Sequence, residues 1–323
     1  AAVGEQSRLV LRGGERAPFA ERQIPWRTFA FRIEAPPGES QIYLRLGNPA
    51  RQRFPLRAWS EENFRARVLR DMIFHGGLLG ALAVMLLYNL LLFVTVRDET
   101  YAYLSACIAG VSWIHLLGTG LGYQFLWPGF PDGNHTVVPA LSLSAVGFVQ
   151  YLRTLLATRA LAPTPDLVLR IFLSVVLGCT LVSFFVSYNI AVLLATFAIL
   201  PISVFLVVVA LAAGRAALGG NSPEGRFYLA GSLLLAGSSV LVTLAFFDPL
   251  PFFDGVRSIA LASLAGLAAF LSTAIHLKIK LIRDNLQRLN AAPSSGNSEA
   301  SVARQEWTIS PRMEQKLHRA VGY

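Results

Sequence analysis

The amino-acid sequence predicts a mainly α-helical membrane protein, in which a polytopic seven-helix transmembrane bundle follows a partial all-β extracytoplasmic segment. The composition favours a membrane protein, because 54% of the residues are hydrophobic, only 15% are charged and the mean hydropathy is +0.52. The apolar residues form blocks of about 20, the length that an α-helix needs to cross about 30 Å of hydrocarbon. The N-terminal residues differ, since apolar and polar side chains alternate there as they do in strands.

The predicted β segment covers residues 1–60. Alternation predicts strands at Phe29–Glu34, Ile42–Leu46 and Phe54–Trp59, and the run Pro36-Pro37-Gly38 separates the first two. Three or four strands are too few to close a sandwich, so we expect them to be the C-terminal strands of a larger β domain. The chain begins without a Met or an apolar signal region, which is typical of a processed chain or of a fragment.

A short polar helix is predicted over residues 61–72, between the β segment and the membrane. Ser60 is suited to cap this helix, and Glu61 and Glu62 occupy its first turn, where the helix dipole favours negative charge. Because apolar residues follow directly, we expect the helix to continue into the first membrane span. A rigid connection of this kind can transmit a displacement.

Seven apolar blocks predict a transmembrane domain over residues 73–277. The predicted spans cover residues 73–96, 101–121, 137–156, 167–186, 190–213, 227–247 and 258–277. An odd number of spans places the two ends of the chain on opposite sides of the membrane. Arg153 and Arg170 fall at the inner ends of their spans, where we expect their long side chains to reach water.

The distribution of arginine and lysine predicts an N-terminus outside and a C-terminus inside. Most basic residues beyond residue 72 lie in the predicted inner loops and the C-terminal tail, whereas the outer loop 122–136 has none. Arg65, Arg67 and Arg70 precede the first span on the outer side and oppose this orientation. Since long preceding domains cross the membrane largely regardless of charge, the later loops decide.

An apolar seam continues out of the last predicted span. Its members recur at spacings of four and three residues, as the a and d positions of a coiled coil do: Ile275, Ile279, Ile282, Leu286 and Leu289. Residues 278–292 are therefore predicted to form a cytoplasmic helix, either in a coiled coil or as an amphipathic helix on the inner leaflet. Residues 293–323 are predicted to be a flexible cytoplasmic tail, which is too short for a catalytic domain.

No catalytic, cofactor-binding or metal-binding motif is found in the sequence. A seven-helix zinc hydrolase would need converging histidines, but His75, His115 and His276 are expected at different depths in the membrane. A retinal pigment would need a lysine in mid-helix, whereas Lys278 and Lys280 lie at the exit of the seventh span. The net charge is +9, but the basic residues form no dense cluster, so nucleic acid is not an expected partner.

Candidate residues for signal coupling or packing lie in and near the first two spans. Asn89 is deep in the first span and is predicted to hydrogen-bond another helix, with signal coupling as the alternative. Gly76 and Gly80 form a small-residue motif that favours close packing, within the bundle or between two chains. The outer loop after the second span is rich in aromatic residues, which are typical of the membrane interface. The set is Gly76, Gly80, Tyr88, Asn89, His115, Gln124, Trp127 and Pro128.

Five segments of the chain carry a family resemblance. They are Ile42-Tyr-Leu-Arg-Leu46, Pro55-Leu-Arg-Ala-Trp-Ser60, Met85-Leu-Leu-Tyr-Asn-Leu90, Arg97-Asp98 with Tyr101 and Tyr103, and Gly120-x-Gly-Tyr-Gln-Phe-Leu-Trp-Pro128. Their order and spacing resemble the bacterial seven-transmembrane receptors with diverse intracellular signalling modules (7TMR-DISM). The resemblance implies a periplasmic jelly-roll domain, similar to carbohydrate-binding modules, in front of seven helices. It also implies a cytoplasmic output domain such as a histidine kinase or a diguanylate cyclase, which we expect to be absent from this chain.

These observations favour a bacterial inner-membrane receptor without catalytic activity of its own. We expect it to sense a periplasmic or membrane-borne ligand, carbohydrate-like if the resemblance extends so far, and to relay a conformational change to a cytoplasmic effector. The expected partners are the lipid bilayer, that ligand, the effector and, as one option, a second copy of the chain. The alternatives are a membrane transporter or channel, and a seven-helix intramembrane hydrolase.

Overall fold

A computed structural model describes residues 13–14, 17–33, 42–43, 56–129, 136–155, 163–187, 190–191 and 193–194. Five α-helices have described bounds: α1 (Glu61–Val96), α2 (Glu99–Thr119), α3 (Leu121–Phe125), α4 (Val137–Leu155) and α5 (Pro163–Ser183). Residues 190–191 and 193–194 are also helical. A short 3-10 helix covers Phe19–Glu21. The described part of the chain is therefore mainly helical, as the sequence predicts.

Two compact units make up the chain. The N-terminal unit contains residues 1–77 and 116–134, and the helical unit contains residues 78–115 and 135–323. Helices α1 and α2 each begin in one unit and end in the other, so that each unit receives part of both helices. The two units are described separately below.

The polar helix and the first predicted span form one uninterrupted helix, α1, of 36 residues. The Ser60 hydroxyl accepts a hydrogen bond from the Asn63 amide at 3.3 Å, and the Ser60 carbonyl accepts one from Phe64 at 2.9 Å. Ser60 thus supplies the N-cap that the first turn needs, because the first amides of a helix have no partner within it. The carboxylates of Glu61 and Glu62 follow in that turn, next to the positive end of the helix dipole.

A two-residue turn connects α1 to α2. Arg97 adopts a left-handed conformation with φ of 56°, and its amide bonds to the Phe93 carbonyl at 2.8 Å. The Asp98 carboxylate then accepts hydrogen bonds from the amide and the hydroxyl of Thr100, at 2.9 and 2.7 Å. Arg97 therefore ends α1 and Asp98 caps α2, so these two residues are the whole connection between the helices.

Three helices in the described ranges are long and apolar enough to cross a membrane: Glu61–Val96, Glu99–Thr119 and Asp166–Ser183. The apolar part of α4, Val137–Tyr151, is shorter and rises about 22 Å. Large apolar side chains at Val84, Leu87, Leu91 and Val94 are exposed along one face of α1. A face of this kind requires a non-aqueous environment, which a bilayer provides.

The core of the helical unit forms where α1, α2, α4 and α5 meet. Its fully buried side chains include Leu82 from α1, Leu104 and Ile108 from α2, Val149 from α4 and Leu169 from α5. Aliphatic residues from four helices thus interlock in one cluster. Helix α4 packs directly on α5.

Two glycines allow α2 and α4 to cross in direct backbone contact. A Cβ atom at Gly110 would lie 2.5 Å from the Ser144 amide nitrogen, and one at Gly147 would lie 2.5 Å from that of Cys107. Each glycine thus faces the backbone of the opposite helix, so neither position has room for a side chain. Small residues are typical of membrane-helix interfaces for this reason.

Several predicted elements are absent from the described residues or lie outside them. The strands predicted at 29–34, 42–46 and 54–59 are not present in their described residues 29–33, 42–43 and 56–59. Alternation alone does not make a strand, because a strand also needs a hydrogen-bonded neighbour. The other residues of these segments lie outside the described ranges, as do nearly all of the fifth predicted span, the sixth and seventh spans, and the seam from Ile275 to Leu289.

Replacing Gly147 by alanine should weaken the α2–α4 contact. The new methyl group would overlap the α2 backbone, and overpacking of this kind typically costs about 1 to 3 kcal/mol of unfolding free energy. Reversible unfolding of the purified protein in bicelles measures this loss.

Gly178→Ala on α5 is the matched control for this substitution. No atom of the described residues lies within 4 Å of a Cβ at Gly178, so this variant should be neutral or gain about 0.5 to 1 kcal/mol. A Gly147→Ala variant as stable as the control would contradict the close crossing.

Candidate functional site

The N-terminal unit brings together three segments that are distant in the sequence. They are residues 17–33, the first turns of α1, and the segment 116–129 that contains the end of α2 and all of α3. We call the contacts among these three segments the coupling site. Its central side chains are Arg22, Arg27, Asp71 and Tyr123.

Arg27 binds both membrane helices at their ends in this unit. One terminal nitrogen, NH2, donates to the Asp71 carboxylate of α1 at 2.7 Å, and the other, NH1, donates to the Thr119 carbonyl of α2 at 3.0 Å. The side chains of Arg27 and Asp71 are only 14% and 18% exposed, so water competes weakly with this ion pair. The Thr119 carbonyl belongs to the last turn of α2, where the helix dipole favours a cation.

Gly120 lets the N-terminal segment approach the end of α2. Its φ of +78° is a left-handed conformation that a side chain disfavours, and a Cβ there would lie 2.6 Å from the Arg27 carbonyl oxygen. Arg27 is therefore held through its side chain and also through its backbone, which lies directly against Gly120. Any larger residue at this position would displace the segment.

Arg22 orders the segment around Arg27. Its guanidinium carbon lies 4.9, 4.4 and 5.1 Å from the ring centres of Phe19, Phe29 and Tyr123. Its NH1 group also donates to the carbonyls of Trp26 and Arg27, at 2.7 and 3.1 Å. A cation enclosed by aromatic faces and bonded to the backbone fixes the loop that presents Arg27.

The loop after α2 closes the site from the other side. The Pro128 carbonyl accepts a hydrogen bond from the Phe19 amide at 3.1 Å, and the Tyr123 hydroxyl donates to the Ala17 carbonyl. The Tyr123 ring meets Phe19 edge to face, with ring centres 5.7 Å apart. Burial raises the pKa of the Tyr123 phenol. The positive charge of Arg22 lowers this pKa, and the negative charge of Glu21 raises it further.

Two family models match the chain. One, described as 7TM diverse intracellular signalling, matches residues 71–277, and the other, described as 7TMR-DISM extracellular 2, matches residues 2–60. The chain belongs to the 7TMR-DISM family. The resemblance identified from the sequence is thereby confirmed, and no curated protein or solved structure gives a significant match. A 7TMR-DISM protein is a membrane protein of the receptor and signalling kind with an extracellular part.

Three residues selected from the sequence lie in or beside the coupling site of this 7TMR-DISM protein. Pro128 contributes its carbonyl, as described above, and the Trp127 ring lies directly on Gly122, so that any side chain at Gly122 would overlap it. The Gln124 amide bonds to the Gly120 carbonyl at 3.1 Å, while its side-chain oxygen is buried and accepts no hydrogen bond from the described residues.

The other selected residues lie elsewhere. Gly76 and Gly80 have no atom of the described residues within 4 Å of a Cβ, and Tyr88 is exposed. Asn89 is fully buried and donates to the Met85 carbonyl of its own helix at 2.8 Å, and His115 is fully buried on α2. The structure therefore brings none of these five into the coupling site.

Sequence reasoning missed Arg22, Arg27 and Asp71. The available signal was Asp71 itself, an acidic residue directly before the apolar block that has three arginines close by at positions 65, 67 and 70. A carboxylate at the edge of a membrane span needs a cationic partner. Its own helix supplies Arg67 at 3.2 Å, but the shorter contact comes from Arg27, which only the fold reveals.

Arg153 and Arg170 were expected to reach water from the ends of their spans. In the helical unit both bind the buried carboxylate of Asp166, at 2.8 and 2.7 Å, and Arg170 remains 49% exposed whereas Arg153 is only 17% exposed. The carboxylate stabilises the two cations, because an unpaired charge is costly at the membrane boundary. In the described part of the chain, no three His, Cys, Asp or Glu side chains converge.

Removing Arg27 or Asp71 should loosen the end of α2. In a double-mutant cycle with Arg27→Gln and Asp71→Asn, we expect a coupling free energy of about 1.5 to 3 kcal/mol, typical of a shielded charged hydrogen bond. The observable is hydrogen exchange of the Gly120 amide, which bonds to the Leu117 carbonyl at 3.2 Å. The exposed pair Arg32 and Glu61 is the control and should give below about 1 kcal/mol. Equal coupling in both cycles would refute the assigned role.

The coupling site should lose stability at alkaline pH. Since the pKa of Tyr123 is higher in the folded state, its contribution is fully present below about pH 10 and is lost as pH rises through the raised pKa. The gap in melting temperature between wild type and Tyr123→Phe should therefore be constant from pH 7 to 9 and shrink above about pH 10. Tyr88→Phe controls for loss of a phenol elsewhere, and a gap that widens with pH would contradict the prediction.

Proposed function

We propose that this chain is the input half of an inner-membrane signal-transduction receptor. In this proposal it senses a periplasmic or membrane-borne ligand and passes a conformational change through α1 and the seventh predicted span to a cytoplasmic output module. Membership of the 7TMR-DISM family supports a receptor-type role. The ligand, the relay and the orientation with the N-terminus in the periplasm are parts of the proposal.

The observation that carries the proposal is the double attachment of Arg27. This residue belongs to the N-terminal segment 17–33, which lies within residues 2–60, the range that the extracellular model matches. Its side chain bonds to Asp71 on α1 and to Thr119 on α2. A shift of the segment therefore acts on two membrane helices at once.

Helix α1 is suited to carry such a shift. It runs without interruption from its cap at Ser60, past Asp71, to Val96 at its far end. A continuous helix of this length moves as a rigid body. A displacement of the helical turn that contains Asp71 therefore reaches the other end of the span. A carbohydrate-like ligand and an effector are finer parts of the proposal that rest on the family resemblance, and a homodimer is a further option.

Fusions test the topology that the proposal requires. A fluorescent protein joined after residue 292 should fluoresce and alkaline phosphatase joined there should be inactive, because this position is proposed to be cytoplasmic. The same two reporters joined after residue 129 should give the opposite pattern. An active phosphatase at residue 292 would overturn the receptor orientation.

A reporter chimera tests the relay itself. With a diguanylate cyclase joined after residue 292, Arg27→Gln should change cellular cyclic di-GMP by at least about fivefold at an unchanged level of membrane protein. Arg32→Gln, which removes an exposed pair with Glu61, should leave the output unchanged. If both variants match wild type, Arg27 does not carry the signal.

A further inference from the structure

Three charged side chains form a cluster between α4 and α5, in the helical unit. The Asp166 carboxylate is almost fully buried, and Arg153 binds both of its oxygens, from Nε at 2.8 Å and from NH2 at 3.2 Å. Arg170, one turn further along α5, binds Oδ2 through Nε at 2.8 Å and NH2 at 2.7 Å. Two cations thus share one anion among the described residues.

The two arginines differ in how many of their hydrogen-bond donors are already used. Arg153 also donates from NH1 to the Gln150 side chain at 2.7 Å and is only 17% exposed, so all three of its nitrogens are engaged. Arg170 is 49% exposed, and its NH1 group makes no hydrogen bond to the described residues. The cluster therefore presents one guanidinium edge outward.

The position of this edge makes a free positive charge costly. Arg170 lies within the apolar helix Asp166–Ser183, about 10 Å along the axis from Pro163. A cation within a membrane helix is expensive unless an anion or a polar group meets it. At the boundary of a bilayer, the abundant anions are lipid phosphates.

The surface around Arg170 favours a lipid over a soluble anion. Leu177 and Leu181 are both exposed, at 52% and 66%, and form an apolar stripe on the same face of α5 as Arg170, because they follow it by about two and three helical turns. A charged edge at the head of an exposed apolar stripe matches a phosphate followed by an acyl chain.

We propose that Arg170 binds the phosphate of an anionic phospholipid, with the acyl chain lying along Leu177 and Leu181. Asp166, itself bound by Arg153, holds the Arg170 guanidinium in place, and the two N–H groups of NH1 donate to the phosphate oxygens. This site lies in the helical unit and does not depend on the proposed receptor function. It gives the protein a specific lipid partner at the start of α5.

Lipid retention in nanodiscs tests the site. The full chain is placed in phosphatidylcholine nanodiscs containing phosphatidylglycerol, and the phosphatidylglycerol kept after detergent extraction is counted by native mass spectrometry. Arg170→Gln should lower the retained phosphatidylglycerol about fivefold and leave phosphatidylcholine unchanged. Arg65→Gln on α1, which also removes an arginine paired one turn away, should retain as much as wild type.

Two further arms decide between explanations. Arg170→Lys keeps the charge and should retain an intermediate amount, and equal melting temperatures of the three proteins show that folding is intact. Millimolar inorganic phosphate should not displace the lipid, whereas displacement would show a site for free phosphate and overturn the lipid assignment. Equal retention by wild type and Arg170→Gln would overturn the site itself.

Discussion

The ion pair between Arg27 and Asp71 is the contact on which the arrangement of the N-terminal unit depends. Both side chains are largely removed from water, so each would carry a substantial desolvation cost without the other. That mutual requirement fixes the segment 17–33 against α1. The second bond of the same guanidinium, to the Thr119 carbonyl, then fixes the end of α2 relative to the start of α1. Most of the other contacts in the segment 17–33 hold Arg27 in this position.

The supporting contacts follow from the size and shape of the neighbouring residues. Gly120 provides a surface without a side chain against which the Arg27 backbone rests, and the rings of Phe19, Phe29 and Tyr123 enclose Arg22. The guanidinium of Arg22 bonds back to the Trp26 and Arg27 carbonyls, which leaves the Arg27 side chain free to reach the helices. A segment without regular secondary structure is in this way held by side-chain contacts.

A carboxylate shared by two arginines also occurs at Asp166 in the helical unit. There too a buried carboxylate is shared between an arginine from another segment, Arg153, and one from its own helix, Arg170. The environments differ, because Asp71 follows the polar turns of α1 whereas Arg170 lies within an apolar helix. Excess positive charge is easily hydrated in the first case and needs an anionic partner in the second.

The sequence by itself determined the family and the membrane character, and it displays the caps and the apolar blocks of the helices. These follow from local features: Ser60 and Asp98 cap their own helices, and an apolar block of about 20 residues is a span wherever it occurs. It selected Pro128, Trp127 and Gln124 as candidates for coupling or packing, but it did not predict α3, and it predicted a strand where residues 29–33 form none.

Only the tertiary structure decided which charges pair and where helices cross. Arg27 and Asp71 are 44 positions apart, and Gly110 meets Ser144 across two helices. Hydrophobicity and capping act between residues that are close along the chain, so a sequence displays them directly. An ion pair or a backbone crossing depends on which segments meet in space. The chain has many arginines, and its sequence does not specify which of them pairs with Asp71.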